Sequence, residues 1–329
     1  MKKASPNIAV LLPCYNEEAS VAQTIRSFRA AVPEAIIYVC DNNSTDRTAE
    51  IALAEGAVLL TERAKGKGCV VRRMFADVDA DYYIMADGDA TYDANAAPRL
   101  LNTAISQRLD MVVGCREEQD ADAYRHGHRL GNHVLTRTLS AFFGRSFSDI
   151  LSGYRVFSRR FVKSFPAFSN GFEIETEISV HALRMQMPTG EVRTTYFSRP
   201  EGSTSKLSTY RDGVRILSTI FDLVRQESPL LFFAGIALAL AVVSIVLAIP
   251  LVDTYLRTGA VPRFPTAILS SALMIVAFLF ALAGLILDTV VRGRRETLRM
   301  AYLAAVTPML QVSPPVNNPQ INSHPEAAK

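Results

Sequence analysis

Two carboxylates stand one residue apart in Asp87-Gly88-Asp89, directly after the apolar run Tyr82–Ala86. Left alone, such neighbouring charges repel each other and raise each other's pKa. A divalent cation removes that conflict, and phosphate oxygens can fill its remaining coordination positions. Because both ligands are hard oxygens, the pattern predicts Mg²⁺ or Mn²⁺ rather than zinc. We expect Gly88 to give the backbone the freedom that aims both carboxylates.

Four more polar clusters follow apolar runs or lie between them, and they narrow the kind of ligand. They are Pro13–Glu18, Asp41–Asp46, Lys65–Gly68 and Gly114–Arg116. The first cluster is acidic and lacks glycine, so it does not fit the glycine-rich loop of a dinucleotide-binding fold. The lysine-glycine cluster lacks the upstream glycine and the serine or threonine of a Walker loop. Acidic groups suit hydroxyl and base-edge donors, while a metal and the lysines would neutralise phosphate, so the set predicts a nucleoside-diphosphate ligand.

The clusters are positioned by strands that alternate with helices. Strands are predicted over Ile8–Leu12, Ala35–Cys40, Ala57–Leu60, Tyr82–Ala86 and Met111–Gly114. Helices of ordinary length lie between them, including Gly68–Val78 and Ala96–Gln107. This alternation predicts an α/β fold with a mostly parallel sheet covered on both faces. Such sheets bind ligands at the carboxyl ends of their strands, where the polar clusters stand.

Polar residues before the first two helices are candidate caps. Asn16 is predicted to cap the first helix, with Glu17 and Glu18 in its first turn. Ser44 or Thr45 is expected to cap the second helix. The caps would place both helix starts directly after the first two strands.

Together these motifs resemble the family 2 glycosyltransferases with the GT-A fold, in which the segment near Asp87–Asp89 is the metal-binding DxD motif. Three later segments resemble motifs of the dolichyl- and undecaprenyl-phosphate sugar transferases of that family: Asp149–Arg155, Phe172–Glu175 and Arg199–Lys206. The match covers about residues 7–225 in the expected order. The resemblance implies a nucleotide-sugar-binding, Rossmann-like catalytic domain, a nucleotide-sugar donor, a polyprenyl phosphate acceptor and a divalent cation, Mg²⁺ or Mn²⁺.

The resemblance also implies a role for each matching residue. Nucleotide-sugar binding falls to Pro13, Tyr15, Glu17 (or Glu18), Asp41, Asn43, Lys67, Asp87, Gly88, Arg199, Ser205 and Lys206. The catalytic set is Asp89, Arg116, Arg129 and Asn132, and the acceptor-side set is Ser152, Arg155, Glu173 and Glu175. Arg129 and Asn132 align only loosely, and they are included because a lipid phosphate needs fixed cations near the membrane. A solvated helix face is an equal alternative for Arg129.

The metal ligands implied by the resemblance are Asp87, Asp89 and Thr91. Many relatives have a glutamine where this chain has Thr91. The third ligand is therefore open between the Thr91 hydroxyl, a water molecule and Asp93.

Two long apolar runs follow the catalytic part of the chain. Leu230–Val252 and Ala267–Leu287 contain no charged residue, and about 20 such residues span a bilayer. The apolar residues of 207–224 form one helical face, which favours an interfacial amphipathic helix. Four arginines in Arg292–Arg299 indicate that this end is cytoplasmic.

The expected organisation has four parts. They are a cytoplasmic GT-A domain over 1–206, an amphipathic helix over 207–228, two transmembrane helices (about 230–252 and 267–289) within 229–291, and a basic segment with a disordered tail over 292–329. Packing through the hairpin would allow a dimer or tetramer. We expect the inner membrane of a bacterium, with the catalytic domain in the cytoplasm.

Composition indicates the compartment and excludes one class of partner. The four cysteines, Cys14, Cys40, Cys69 and Cys115, lack metal-ligand spacing and predict reduced thiols in a cytosolic compartment. A formal net charge of +3 and the lack of a dense basic stripe argue against a nucleic-acid partner.

The predicted reaction is the transfer of a single sugar to undecaprenyl phosphate with inversion at the anomeric carbon. The acceptor is already anionic, so catalysis would rest mostly on positioning and charge stabilisation. A UDP-sugar is the first choice of donor and GDP-mannose the second. The alternatives are a processive polysaccharide synthase, whose chain-binding motif needs a tryptophan that this sequence lacks, a non-catalytic membrane adaptor and a soluble nucleotidyltransferase.

Overall fold

The computed structural model describes residues 6–118, 147–197 and 228–305. Within these residues, seven strands form one sheet in the order β3-β2-β1-β4-β6-β5-β7. The strands are β1 (Ile8–Cys14), β2 (Ile36–Asp41), β3 (Val58–Thr61), β4 (Tyr82–Met85), β5 (Met111–Glu118), β6 (Arg155–Ser158) and β7 (Thr189–Tyr196). Strand β6 is antiparallel to both of its neighbours, and the other pairs are parallel. The predicted α/β fold with a mostly parallel sheet is confirmed.

Helices cover both faces of the sheet because successive side chains of a strand point to opposite sides. In β1, Val10 and Leu12 pack into one core, whereas Ala9 and Leu11 pack into the other. The helices of residues 6–197 are α1 (Val21–Ala31), α2 (Thr48–Ala54), α3 (Lys67–Asp77), α4 (Ala97–Ser106), α5 (Arg159–Ser164) and α6 (Ile174–Arg184). Helices α1, α2 and α4 supply the first core, and α3, α5 and α6 supply the second.

The capping predictions for α1 and α2 are wrong, because the polar residues bond across the two loops instead. Asn16 has a φ of 52°, and its side-chain oxygen accepts a hydrogen bond from the Thr45 N–H (2.8 Å). The hydroxyl of Ser44 accepts one from the Asn16 N–H (2.9 Å). Helix α1 begins only after Ser20, so the two glutamates after Asn16 precede it. Helix α2 begins at Thr48, beyond both predicted caps.

Two long apolar helices follow the part of the chain that forms the sheet, α7 (Pro229–Thr258) and α8 (Phe264–Ala304). By length and composition both could cross a membrane, and the predicted spans lie within them. They meet along buried small residues spaced seven apart: Ala237 and Ser244 on α7, and Ser270, Ala277 and Gly284 on α8. Ser244 and Ser270 each donate a hydrogen bond to the other's backbone carbonyl, at 2.7 and 3.3 Å. The seam therefore has a fixed register, while most other apolar side chains of the pair face outward.

Helix α8 continues without a break past the apolar run and through residues 292–304, the first part of the basic segment. All but the last residue of the predicted amphipathic helix over 207–228 lies outside the described residues, and so does the part of the predicted basic segment and tail (292–329) beyond residue 305.

Candidate active site

A cavity of about 310 Å³ opens at the carboxyl edge of the sheet, between the loops that follow β1 and β4 and the start of α3. Seven of the predicted site residues line it: Pro13, Tyr15, Glu17, Lys67, Asp87, Gly88 and Asp89. Phe172, from the loop between α5 and α6, also lines the cavity, with 40% of its surface exposed. The structure therefore brings together residues that the sequence places on separate strand ends.

An ion-paired lysine forms part of the cavity wall. Lys67 contacts a carboxylate oxygen of Asp87, and its Nζ lies 2.6 Å from Oε1 of Glu175. Burial alone would lower the pKa of Lys67, but the negative charges of Asp87 and Glu175 outweigh it and raise that pKa above its ordinary value. Lys67 therefore stays protonated. Glu175, predicted on the acceptor side, joins two predicted donor-site residues.

Asp89 is oriented by the turn that follows it. Its Oδ1 accepts hydrogen bonds from the Thr91 hydroxyl (2.6 Å) and the Thr91 N–H (3.3 Å), and both residues are buried. The Asp93 carboxylate accepts a hydrogen bond from the Asn95 N–H (3.0 Å) at the next turn. Thr91 thus holds one of the two proposed metal-binding carboxylates in place, and Asp93 caps the following turn.

Asp87 and Asp89 are a ligand set that fits a magnesium-type cation. Both residues line the cavity, and the Asp87 side chain is 30% exposed. Across the described ranges, no group of three or more histidine, cysteine, aspartate or glutamate side chains could hold a metal by itself. Mg²⁺ commonly binds through one or two carboxylates and takes substrate phosphates and water for the rest. The pair therefore suits an ion that arrives with a diphosphate.

Gly88 is required for close packing rather than for backbone freedom, which corrects the prediction. Its φ lies outside the left-handed region, but a Cβ there would stand 2.3 Å from Sγ of Cys14. Its carbonyl accepts hydrogen bonds from the hydroxyls of Ser20 (2.9 Å) and Thr24 (3.2 Å) at the start of α1. The Asp87–Asp89 turn is therefore fixed from two sides, by the end of β1 and by α1.

The lysine-glycine loop is shaped by Asn42, a residue that the sequence analysis missed in favour of Asn43. Asn42 donates hydrogen bonds to the carbonyls of Glu62 (3.0 Å) and Ala64 (2.7 Å) and accepts one from the Gly66 N–H (2.7 Å). Gly66 has a φ of +129°, and a Cβ there would lie 2.1 Å from a backbone oxygen. The doubled asparagine after β2 was the available signal. Asn43 itself has a φ of 61°.

The loop before β6 contacts the Lys67–Asp87 ion pair at Gly153. A Cβ on Gly153 would lie 3.0 Å from both Asp87 Oδ2 and Lys67 Nζ. The Gly153 N–H donates a hydrogen bond to the hydroxyl of Tyr92 (2.9 Å). A larger residue at this position would therefore push on the two charged groups.

Ser152 and Arg155, predicted to contact the acceptor, have no exposed surface. The Ser152 hydroxyl donates a hydrogen bond to the Gly114 carbonyl (2.6 Å). The Arg155 guanidinium donates to the Ser152 carbonyl (2.8 Å) and to the Ser179 hydroxyl (2.9 Å). Both side chains are thus occupied in holding the loop and α6 together, so the structure gives them a supporting position behind the cavity.

Arg116, predicted to bind the acceptor phosphate, is paired within the protein. Its guanidinium donates two hydrogen bonds to Asp149, at 2.7 and 2.8 Å, and stands 5.5 Å from the ring centroid of Tyr196. Both charged side chains are mostly buried. Much of the Arg116 charge is therefore neutralised by Asp149, the first residue of the segment that carried the resemblance.

The remaining predicted residues divide into two groups. Asp41 ends β2, and its buried Oδ1 has no hydrogen-bond partner among the described residues. Glu173 directly precedes α6, and a Cβ on Gly171 would lie 2.5 Å from its Oε2. Arg129, Asn132, Arg199, Ser205 and Lys206 lie outside the described residues.

One family model and several known proteins are similar to this chain. A model of glycosyl transferase family 2 matches residues 9–165. The chain is 57% identical over 124 residues to Protein RfbJ of Shigella flexneri, covering 37% of this chain and 96% of that protein. It is 31% identical over 294 residues to Glycosyltransferase AglJ of Haloferax volcanii, covering 89% and 96%. It is 28% identical over 267 residues to undecaprenyl-phosphate 4-deoxy-4-formamido-L-arabinose transferase of Pseudomonas aeruginosa, covering 77% and 75%.

Among solved structures, the catalytic part resembles glucosyl-3-phosphoglycerate synthase from Mycobacterium tuberculosis. That enzyme was solved in complex with Mn²⁺, uridine diphosphate and glucosyl-3-phosphoglycerate. The TM-score is 0.54 at 21% identity, and the match covers 66% of this chain and 80% of that chain. The likeness identifies the GT-A fold.

Proposed function

This chain belongs to the family 2 glycosyltransferases, and on that basis we propose that it transfers a single sugar from a nucleotide-sugar to a polyprenyl phosphate in a membrane. The observation that carries the proposal is the cavity lined by Asp87, Asp89 and the ion-paired Lys67, in a chain that continues into two helices able to cross a bilayer. The Pseudomonas aeruginosa relative acts, by its name, on undecaprenyl phosphate, which supports that acceptor.

A UDP-sugar is the proposed donor, with GDP-mannose second. The synthase with the same fold binds uridine diphosphate and Mn²⁺. In this chain Asp41 carries a buried carboxylate oxygen that lacks a partner among the described residues. A hydrogen-bond donor on the base or ribose of the nucleotide would satisfy that oxygen. Leaving a buried acceptor unpaired costs about 1–3 kcal/mol, so such a hydrogen bond would favour binding.

Asp87 and Asp89 are the residues that would hold Mg²⁺ or Mn²⁺. A bound divalent ion supplies charge neutralisation for a diphosphate leaving group. Lys67 adds a fixed positive charge at the same wall, and Glu175 keeps it there. Thr91 orients Asp89 and Lys67 holds Asp87, so the two carboxylates are preorganised before the donor arrives.

The proposed reaction needs positioning more than proton transfer. An oxygen of the acceptor phosphate attacks the anomeric carbon from the side opposite the nucleotide diphosphate. The new carbon–oxygen bond forms as the bond to the diphosphate breaks, so the configuration inverts. Because the attacking oxygen is already anionic, no side chain has to remove a proton.

We assign the protein to the inner membrane of a bacterium, with the catalytic domain on the cytoplasmic side. The motivating pattern is the group of four arginines after the apolar part of α8, Arg292, Arg294, Arg295 and Arg299. A two-helix hairpin returns the chain to the side from which it entered. The catalytic domain, which precedes α7, therefore shares the cytoplasmic side with these arginines.

The test is a transfer assay with the full chain in liposomes that contain undecaprenyl phosphate. A panel of radiolabelled UDP-sugars and GDP-mannose is offered with Mn²⁺, with Mg²⁺ or with a chelator. Lipid-linked sugar from one donor, lost on chelation and in Asp89→Asn, is the expected result. Glu50→Gln is the matched control, because this carboxylate on α2 is 68% exposed and has no place in the site. If the folded wild-type protein makes no lipid-linked sugar from any donor, the proposed function is wrong.

A further inference from the structure

Helix α8 is about twice as long as a bilayer requires. It has 41 residues, or about 60 Å at about 1.5 Å per residue, whereas the hydrocarbon core is about 30 Å thick. Its apolar run ends at Leu287, and charged residues follow from Asp288 onward. Residues 288–304, here called the strut, therefore extend about 25 Å beyond the apolar run.

The far end of the strut is locked to the catalytic domain. Tyr302 is 7% exposed and donates a hydrogen bond to Oδ2 of Asp110 (2.7 Å). Asp110 is fully buried just before β5, and its Oδ1 accepts hydrogen bonds from the Ser158 hydroxyl (2.6 Å) and from Arg160 (3.1 Å). The guanidinium groups of Arg160 and Arg299 each stand 5.0 Å from the Tyr302 ring centroid. A single buried carboxylate thus joins β6, α5 and the strut.

The near end of the strut touches the loop that shapes the donor cavity. The Arg294 guanidinium lies 4.9 Å from the ring centroid of Phe168, in the loop between α5 and α6. In the same loop the Asn170 carbonyl accepts a hydrogen bond from the Gly68 N–H at the start of α3 (3.0 Å), and Phe172 lines the cavity. The strut therefore contacts the catalytic domain at two places along its length.

We propose that the strut fixes the height and orientation of the catalytic cavity above the membrane, with Tyr302 as the positioning residue that locks it to Asp110. The inference rests on the proposed function, because it concerns how a lipid phosphate meets the cavity. A membrane lipid presents its phosphate at one level of the bilayer. A stiff helix would hold the cavity of the catalytic domain at the height of that phosphate. This matters because a misplacement of the reacting groups by about 1 Å can lower the rate by about 10²-fold.

The first test measures the orientation without any reaction. Spin labels are placed on Leu53→Cys in the catalytic domain and Leu231→Cys at the start of α7, both of which are largely exposed. The four native cysteines are buried and should not be labelled. In nanodiscs we expect one narrow distance distribution, which broadens in Tyr302→Ala and broadens less in Tyr302→Phe. An unchanged width in Tyr302→Ala overturns the inference, whether or not the protein transfers sugar.

The second test separates positioning from general damage to the fold. The full chain in liposomes is assayed with undecaprenyl phosphate and with a short, water-soluble two-isoprene phosphate. Tyr302→Ala should lower kcat/KM for the embedded acceptor by about tenfold or more, while the short acceptor, which can diffuse to the cavity, changes by less than about twofold. Equal losses with both acceptors overturn the positioning role. Tyr255→Phe, an exposed tyrosine on α7, is the matched control and should change neither.

Discussion

Replacing Gly88 by alanine would put a methyl carbon 2.3 Å from Sγ of Cys14, where a normal contact is at least one ångström longer. Cys14 is buried at the end of β1, and burial raises the pKa of its thiol well above the ordinary value, so the group is neutral. Forcing an extra carbon into such packing costs about 1–3 kcal/mol. In a domain of this size, that lowers Tm by about 2–4 °C for each kcal/mol.

The structure identifies a second substitution that should relieve the clash. Cys14→Ala removes the sulfur atom itself, so the methyl group that Gly88→Ala introduces can occupy the space. Cys14→Ala alone should cost about 1 kcal/mol through lost burial. Because the two residues share one volume, the double variant should be about as stable as Cys14→Ala alone, which corresponds to a coupling energy of about 1–3 kcal/mol.

Circular dichroism can follow unfolding of the four proteins in detergent, since the chain has no tryptophan for fluorescence. Binding of Mn²⁺ with uridine diphosphate reports whether the Asp87–Asp89 turn has moved. We expect Gly88→Ala to weaken binding and the double variant to recover it in part. If Gly88→Ala is as stable as wild type, or if the two losses simply add, the close approach to Cys14 is not what requires a glycine here.

Three further substitutions test two side chains of the site and one buried histidine outside it. Asp89→Asn can still accept the hydrogen bond from the Thr91 hydroxyl, so its Tm should equal that of the wild type. Its Mn²⁺ affinity should fall, and its turnover should fall by about 10²-fold. Normal Mn²⁺ binding by this variant would show that other residues bind the ion. Glu175→Gln removes one of the two charges paired with buried Lys67 and should destabilise the fold by about 3 kcal/mol in urea unfolding, unless the lysine is more solvated than its contacts indicate. Burial, then the charges of two nearby arginines, lowers the pKa of His181 to about 4, so the unfolded chain, with a histidine pKa of about 6.5, binds a proton first as the pH falls. Stability should therefore drop between pH 7 and pH 4, by about 2 kcal/mol at pH 5, and His181→Gln should flatten that dependence; an equal slope in the variant would assign it to other groups.

The donor side of the site could be predicted because its signals are local. An apolar run followed by acidic or basic residues identifies a strand end, and parallel strands bring such ends to one edge. Asp87, Asp89 and Lys67 were found in this way, and all three line the cavity. Asn43 was predicted instead of Asn42. The choice between the two depends on which side chain points toward Gly66 at the end of β2, and that follows from the fold rather than from the local sequence.

The second half of the site depends on contacts between distant parts of the chain. Nothing near Lys67 in the sequence indicates that Glu175, on a helix of the other half, will lie beside it. Arg155 was placed on the acceptor side because the segment Asp149–Arg155 resembles a motif of the polyprenyl-phosphate sugar transferases. The structure instead satisfies its guanidinium with backbone carbonyls and with the hydroxyl of Ser179. Burial of that kind follows from the packing of β6 against α6, which no local pattern encodes.

The strand order also constrains the sequence of events as the chain leaves the ribosome. Strands β3, β2, β1 and β4 are adjacent in the sheet, and all of them come from residues 8–85. Within the described residues β5 pairs only with β6 and β7, both of which are made later, and β6 inserts between β4 and β5. The nucleotide half can therefore assemble while β5 still waits for its neighbours. Lys67 is synthesised early, but it can pair with Glu175 only after α6 has emerged from the ribosome. The ion pair therefore joins a segment that is synthesised early to one that is synthesised late.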